Sequence, residues 1–142
     1  MNTSRIGLVG VGLMGHGIAL NIARKGRALT VLEHPGDQPL DELRALSVAS
    51  AATVQDVARQ VQVLILCVTG SPQVEAVLLG EQGALAALQP GTVVIDCSTA
   101  IPASTESVAR AVAAAGGRFL DAPMTRTPRE AAEGRLNLLV GG

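Results

Sequence analysis

Three glycines near the N-terminus have the spacing of a turn that holds phosphate. Gly10, Gly12 and Gly15 form the pattern G-x-G-x-x-G, which follows the apolar run 6–9 and precedes a helical pattern. In that setting the first glycine permits a tight turn, the second lets the backbone approach a pyrophosphate, and the third lets the helix pack closely on the sheet. The helix N-terminus adds unpaired N–H groups and a partial positive charge. The pattern therefore predicts a dinucleotide site, although an isolated match serves plain turn chemistry about as often.

An acidic residue stands where such a site needs one. Glu33 follows the second predicted strand, about 20 residues after the glycine turn. We expect its carboxylate to accept hydrogen bonds from the hydroxyls of the adenosine ribose, which favours NAD because a 2′-phosphate would be repelled. The neighbouring His34 could offset that repulsion when it is charged, so NADP is left open as the cofactor.

Two further polar loops carry candidate substrate contacts. Ser98 and Thr99 follow a strand-like run, and their hydroxyls either face a substrate or a nicotinamide ribose, or cap the next helix. Arg126 lies in the polar segment 121–127; its planar fork either clamps a carboxylate or sulfonate, or lies on the surface. Neither His nor Lys neighbours Ser98 in the sequence, so a serine nucleophile is not expected.

Alternating strand-like and helix-like segments must position these residues. Apolar runs predict strands at 5–9, 28–33, 48–52, 61–68, 92–97, 118–120 and 136–140. Helical patterns are found at 13–25, 40–46, 54–59 and 102–115, and a further helix opens at 71–72 with Pro72 near its start. Such alternation predicts an α/β fold of Rossmann type, with a doubly wound, mainly parallel sheet and helices on both faces. The polar residues then gather beyond the carboxyl ends of strands, where open α/β sheets bind ligands: Glu33, Thr69, Ser98, Thr99 and 121–126.

Composition narrows the function further. The chain has 142 residues, a formal net charge of −1 and a single aromatic residue, so neither a basic surface nor stacking platforms favour nucleic acid. Cys67 and Cys97 provide neither a disulfide framework nor a metal site, and apolar runs are too short to span a membrane. We therefore expect one cytoplasmic dinucleotide-binding domain over residues 1–142, without a metal.

Three motifs, in the same order and spacing, resemble one known family. They are the glycine turn with Met14 before its last glycine and Asn21 in the following helix, the segment Asp96-Cys97-Ser98-Thr99, and residues 121–125 followed by 134–142. Over its whole length the chain resembles the N-terminal domain of the β-hydroxyacid dehydrogenases, the 3-hydroxyisobutyrate dehydrogenase family. That resemblance implies hydride transfer between a nicotinamide and a small hydroxy acid or its semialdehyde.

The resemblance also assigns site residues by position. On the cofactor side it implies roles for Leu13, Met14, Glu33, Val68, Thr69 and Thr99, beside the three glycines. On the substrate side it implies Ser98 and Thr125. Where the family has Ser-Gly-Gly, this chain has Thr125-Arg126-Thr127, which is similar to the sulfolactaldehyde reductase branch. We therefore expect Arg126 to pair with an acidic group of a small anionic hydroxy acid or aldehyde.

A second departure concerns proton transfer. The family continues past the position of Gly142 into a helical catalytic and dimerisation domain, which carries its acid/base lysine. The only lysine here is Lys25, at the end of the first predicted helix. We therefore expect no catalytic residue within these 142 residues, an inactive fragment, and a longer homo-oligomeric enzyme. The alternatives are a non-catalytic dinucleotide-sensing module and an NADPH-dependent reductase of the same superfamily.

Overall fold

A six-stranded parallel sheet forms the centre of the molecule. The structure, a computed structural model, describes residues 4–125 and 127–141. The strand order is β3-β2-β1-β4-β5-β6, so the chain reverses its direction of travel across the sheet between β1 and β4. The strands are β1 Ile6–Val9, β2 Leu29–Leu32, β3 Ala49–Ala51, β4 Val63–Leu66, β5 Val93–Asp96 and β6 Arg118–Asp121. Among the described residues the helices are α1 Leu13–Arg24, α2 Asp41–Ala45, α3 Val54–Ala58, α4 Ser71–Leu79, α5 Pro102–Ala114 and α6 Pro128–Ala132, with a 3-10 turn at Ala84–Ala87.

Helices cover both faces of this sheet. Side chains along a strand alternate between faces, and in β4 Leu64 and Leu66 join one apolar cluster whereas Ile65 packs against the other. The first cluster takes its helical residues from α3, α4 and α5, and the second from α1 and α2. The predicted doubly wound Rossmann-type fold is therefore confirmed.

The C-terminal part of the chain differs from the sequence-based expectation. The apolar run 136–140 contributes a two-residue strand, β8 Asn137–Leu138, which pairs antiparallel with β7 Met124–Thr125 outside the main sheet. Helix α6 lies between them, and the sequence did not indicate it because a single turn shows no helical periodicity. Gly141 then pairs with Asp121 through two backbone hydrogen bonds of 2.8 and 2.7 Å. The part of the chain that the structure describes contains no helix long and apolar enough to cross a membrane.

Candidate cofactor site

Two of the three glycines in the β1–α1 turn are required by backbone packing. Gly10 has a φ of 105°, which L side chains rarely adopt, and a Cβ there would overlap the carbonyl oxygen of Cys67 at the end of β4. A Cβ on Gly15 would overlap the carbonyl oxygen of Gly10. The β1–α1 loop and the first helical turn of α1 are therefore in close backbone contact. This contact lies where the strand order reverses, which is where such sheets bind their ligands.

Gly12 is different because a Cβ there would meet nothing within 4 Å. It is the N-cap of α1 and gives the helix no side-chain cap; its carbonyl oxygen accepts from the His16 N–H at 2.9 Å. The first N–H groups of a helix have no partner within the helix, so they are open to an anion at this end. Leu13 is 67% exposed and Met14 is half-buried. Open space above Gly12 and an uncapped helix end fit a pyrophosphate.

Glu33 lies directly after β2, at the same edge of the sheet. Its backbone N–H donates to the Ala51 carbonyl oxygen at 2.9 Å. Its carboxylate atom Oε1 accepts from the Ser50 hydroxyl at 2.6 Å and from Arg44 Nη2 at 3.1 Å. These bonds, first that from Ser50 and then that from Arg44, lower the pKa of Glu33 below its ordinary value. The carboxylate is therefore ionised at neutral pH and held in a defined position while remaining exposed.

Two neighbouring cavities lie between the glycine turn and Glu33. One of about 410 Å³ is bounded by Glu33, Arg44 and the loop that follows β2. A smaller one of about 200 Å³ is lined by Gly10 and by apolar side chains that include Val9, Leu32, Val68 and Val77. Both cavities share His34 and Asp37. Neighbouring cavities of apolar and polar lining suit an extended ligand with an apolar ring and polar ends.

Ser98 fastens the ends of β4 and β5 to each other. Its hydroxyl accepts from the Val68 N–H at 2.9 Å, and its own N–H donates to Asp96 Oδ1 at 2.9 Å. Ser98 is 3% exposed and Asp96 is fully buried. The sequence predicts Ser98 on the substrate side, and the structure shows that its hydroxyl is buried and bonded to the Val68 N–H.

Asp96 is a buried acid that sequence reasoning passed over. Burial raises its pKa, and bonds from Ser98 partly oppose that rise. Within the described part of the chain its Oδ2 has no hydrogen-bond partner. Burial likewise raises the pKa of Cys67 to about 11 and that of Cys97 to about 12, so both thiols stay protonated and unreactive at neutral pH.

Thr69 and Thr99 are exposed on neighbouring loops at the same edge. The Ser71 hydroxyl at the start of α4 accepts from the Ile101 N–H, just before α5, at 2.7 Å. A Cβ on Gly70 would lie 3.8 Å from the Thr99 carbonyl oxygen. These contacts hold the two loops side by side, so Thr69 and Thr99 lie close together at the carboxyl edge of the sheet.

Helix α6 is held against α1 by a side chain whose distant contacts the sequence did not reveal. Thr125 is exposed in β7, Arg126 lies outside the described residues, and α6 begins soon after. Asn21 of α1 donates through Nδ2 to the carbonyl oxygens of Ala131 and Ala132 at 2.8 and 3.0 Å. Asparagine is a poor helix-interior residue, and neither that misfit nor the motif containing Asn21 indicated which distant residues it binds.

Metal binding has no support at this edge. Among residues 4–125 and 127–141, no group of three or more His, Cys, Asp or Glu side chains could hold an ion.

Known proteins share this architecture and sequence. Residues 5–142 match the family described as the NAD binding domain of 6-phosphogluconate dehydrogenase. The 2-hydroxy-3-oxopropionate reductase of Escherichia coli is 37% identical over 138 residues, which cover 97% of this chain and 47% of that protein. The NAD-dependent L-serine dehydrogenase of Pseudomonas aeruginosa is 33% identical, with 97% of this chain and 46% of that protein covered.

Solved structures agree. The crystal structure of 3-hydroxyisobutyrate dehydrogenase from Salmonella typhimurium superposes with a TM-score of 0.89 at 30% identity, covering 98% of this chain and 48% of that one. The chain thus spans about half the length of the relatives it matches. The resemblance to the 3-hydroxyisobutyrate dehydrogenase family is confirmed, as is NAD as the cofactor of the domain family. This chain belongs to the family of the NAD binding domain of 6-phosphogluconate dehydrogenase.

Proposed function

We propose that this domain holds NAD along the carboxyl edge of its sheet and forms the cofactor half of an oxidoreductase. The substrate is a small 3-hydroxy acid or its semialdehyde, and the bound nicotinamide supplies hydride transfer. The observation that carries the proposal is the β1–α1 turn, in which Gly10 and Gly15 are locked by backbone contacts while Gly12 faces open space. Relatives whose names describe reductases and dehydrogenases of small hydroxy acids support the substrate class.

The chain's own residues divide between the two ligands. Gly12, Leu13 and Met14 lie along the pyrophosphate, and Gly10 and Gly15 shape the turn that holds it. Glu33 contacts the adenosine ribose, and Val68, Thr69 and Thr99 contact the nicotinamide end. Thr125 and Arg126 contact the substrate, with Arg126 pairing its anionic group. Ser98 lies on the substrate side of the same region, and its hydroxyl also accepts from the Val68 N–H, which fixes the loop after β4.

The isolated domain should bind dinucleotide without turning substrate over. We propose that residues 1–142 are the dinucleotide-binding part and that the proton-transferring lysine of the resembling family lies outside them. Calorimetry with NAD⁺ and NADH should give saturable one-to-one binding, while an absorbance assay with hydroxy acids should show no reaction. Failure to bind either dinucleotide would contradict the cofactor assignment. Turnover by the pure 142-residue domain would contradict the placement of the lysine.

Arg126 offers a test of the substrate class in the longer enzyme. Replacing Arg126 by alanine should raise the KM for the true substrate by about 10- to 100-fold, because a charge-assisted hydrogen bond to the substrate anion is lost. The matched control is Arg129→Ala, since Arg129 is 84% exposed and ion-paired with Glu133; its KM should stay unchanged. Carboxylate and sulfonate aldehydes should be compared in parallel. An unchanged KM in Arg126→Ala would refute the role of Arg126.

A further inference from the structure

The carboxylate of Glu33 is held from one side only. The Ser50 hydroxyl and Arg44 Nη2 both donate to Oε1, and no contact to Oε2 occurs within the described residues. Ser50 lies in β3 and Arg44 in α2, so two separate elements fix this one oxygen atom. The arrangement leaves Oε2 for a further donor such as a ribose hydroxyl.

Arg44 borders the same space as the carboxylate that it holds. Glu33 and Arg44 both line the cavity of about 410 Å³ beyond β2, and the Arg44 side chain is 55% exposed. In the part of the chain that the structure describes, its contact with Glu33 is made through Nη2 alone. A guanidinium carries five N–H donors and matches phosphate oxygens as well as it matches a carboxylate.

Two other polar side chains that line this cavity, His34 and Asp37, already have hydrogen-bond partners within the loop after β2. Asp37 Oδ2 accepts from the His34 N–H at 2.8 Å, and His34 Nδ1 accepts from the Gly36 N–H at 3.0 Å. Because Nδ1 accepts that bond, only Nε2 of the imidazole can carry an N–H for a phosphate, whereas the Arg44 guanidinium carries five. Arg44 is therefore the cation that a phosphate group in this cavity would meet.

We propose that Arg44 is a latent ligand for the 2′-phosphate of NADP, which Glu33 masks by ion pairing. With Glu33 ionised, the pair presents a carboxylate oxygen to ribose hydroxyls and repels a phosphate. Without the carboxylate charge, the guanidinium is released for the 2′-phosphate. The inference rests on the proposed dinucleotide site and adds the residue that sets its choice between NAD and NADP.

A binding cycle on the domain tests this choice without any activity assay. Dissociation constants for NAD⁺ and NADP⁺ are measured by calorimetry for the unaltered domain, Glu33→Gln, Arg44→Met and the double variant. The unaltered domain should bind NAD⁺ at least about 10-fold more tightly than NADP⁺. Glu33→Gln should tighten NADP⁺ binding by about 10-fold or more, less so at high salt. The double variant should lose that gain.

The controls distinguish a specific effect of Arg44 on NADP⁺ binding from the effect of removing any exposed positive charge. Arg59→Met removes another exposed arginine, paired with Asp56, and in the Glu33→Gln background it should leave the NADP⁺ gain intact. Thermal melting followed by circular dichroism checks that each variant is folded. In the Glu33→Gln background, Arg44→Lys keeps the positive charge but loses the planar guanidinium, so it should retain part of the gain in NADP⁺ affinity. If the gain persists in Glu33→Gln/Arg44→Met, the inference is overturned while the NAD site stands. If the unaltered domain binds neither dinucleotide, the proposed function itself is overturned.

Discussion

Alanine at Gly12 should leave the domain folded and weaken NAD⁺ binding by more than about 10-fold, because a methyl group then stands where the backbone approaches the pyrophosphate. The backbone of Gly12, with φ −83° and ψ −155°, suits an ordinary residue, and the new Cβ would meet nothing within 4 Å. Replacing a glycine N-cap by alanine costs only about 1 kcal/mol. Circular dichroism and calorimetry on the same sample separate folding from binding.

The same substitution at Gly15 should instead destabilise the fold by about 3 kcal/mol or more, since the Cβ overlaps a backbone carbonyl that has no freedom to move. Gly10→Ala should lose a similar amount of stability. An alanine there would have to adopt the left-handed φ of Gly10, and its Cβ would overlap the Cys67 carbonyl that follows β4. Urea denaturation measures both losses. A Gly12→Ala domain that binds NAD⁺ normally, or a Gly15→Ala domain of full stability, would show that the three glycines do not have these separate roles.

Changing Asn21 to aspartate should detach α6 from α1 and cost about 3 kcal/mol, more than Asn21→Ala at about 1–2 kcal/mol. The amide nitrogen donates to the carbonyl oxygens of Gly17, Ala131 and Ala132. Alanine only removes these bonds, whereas a carboxylate places a negative charge against three acceptors. Close packing adds to the effect, because a Cβ on Gly17 would lie 2.6 Å from the backbone of Ala131.

Hydrogen exchange shows which part of the Asn21→Asp domain loses stability. In Asn21→Asp, amides of 127–135 should exchange much faster while those of β1 and β4 stay protected, because α6 contacts the rest of the fold mainly through α1. Asn137→Asp is the matched control, since Asn137 is an exposed asparagine of β8, and its exchange pattern should match that of the unaltered domain. Uniform protection in Asn21→Asp would mean that α6 is held by other contacts.

Local patterns in the sequence were sufficient for the framework of the domain. The glycine spacing, the alternation of apolar runs with helical patterns, and the acid after the second strand each lie within a short stretch of chain. Hydrophobic periodicity and turn chemistry act over such stretches. The doubly wound, mainly parallel sheet and the position of Glu33 at its carboxyl edge follow from them, whereas the strand order is seen only in the structure.

The partners of these residues could not be read in the same way. Glu33 is bound by Ser50 and Arg44, and Asn21 by carbonyl oxygens more than 100 residues further along the chain. The single-turn helix α6 has too few residues to show a period, and it forms because Gly17 and Asn21 give it a surface to dock on. Ser98 was assigned by motif, and only the fold shows its hydroxyl buried against Val68.

The sequence by itself therefore determined that this protein has a glycine turn, an acid after the second strand and a parallel sheet to carry them, because each of these depends on neighbouring residues. The tertiary structure decided what surrounds them: Arg44 paired with Glu33, the hydrogen bond from Val68 to Ser98 between the ends of β4 and β5, and helix α6 held by Asn21. Such contacts join residues far apart in the chain, and they exist only after the strands have set the geometry between them.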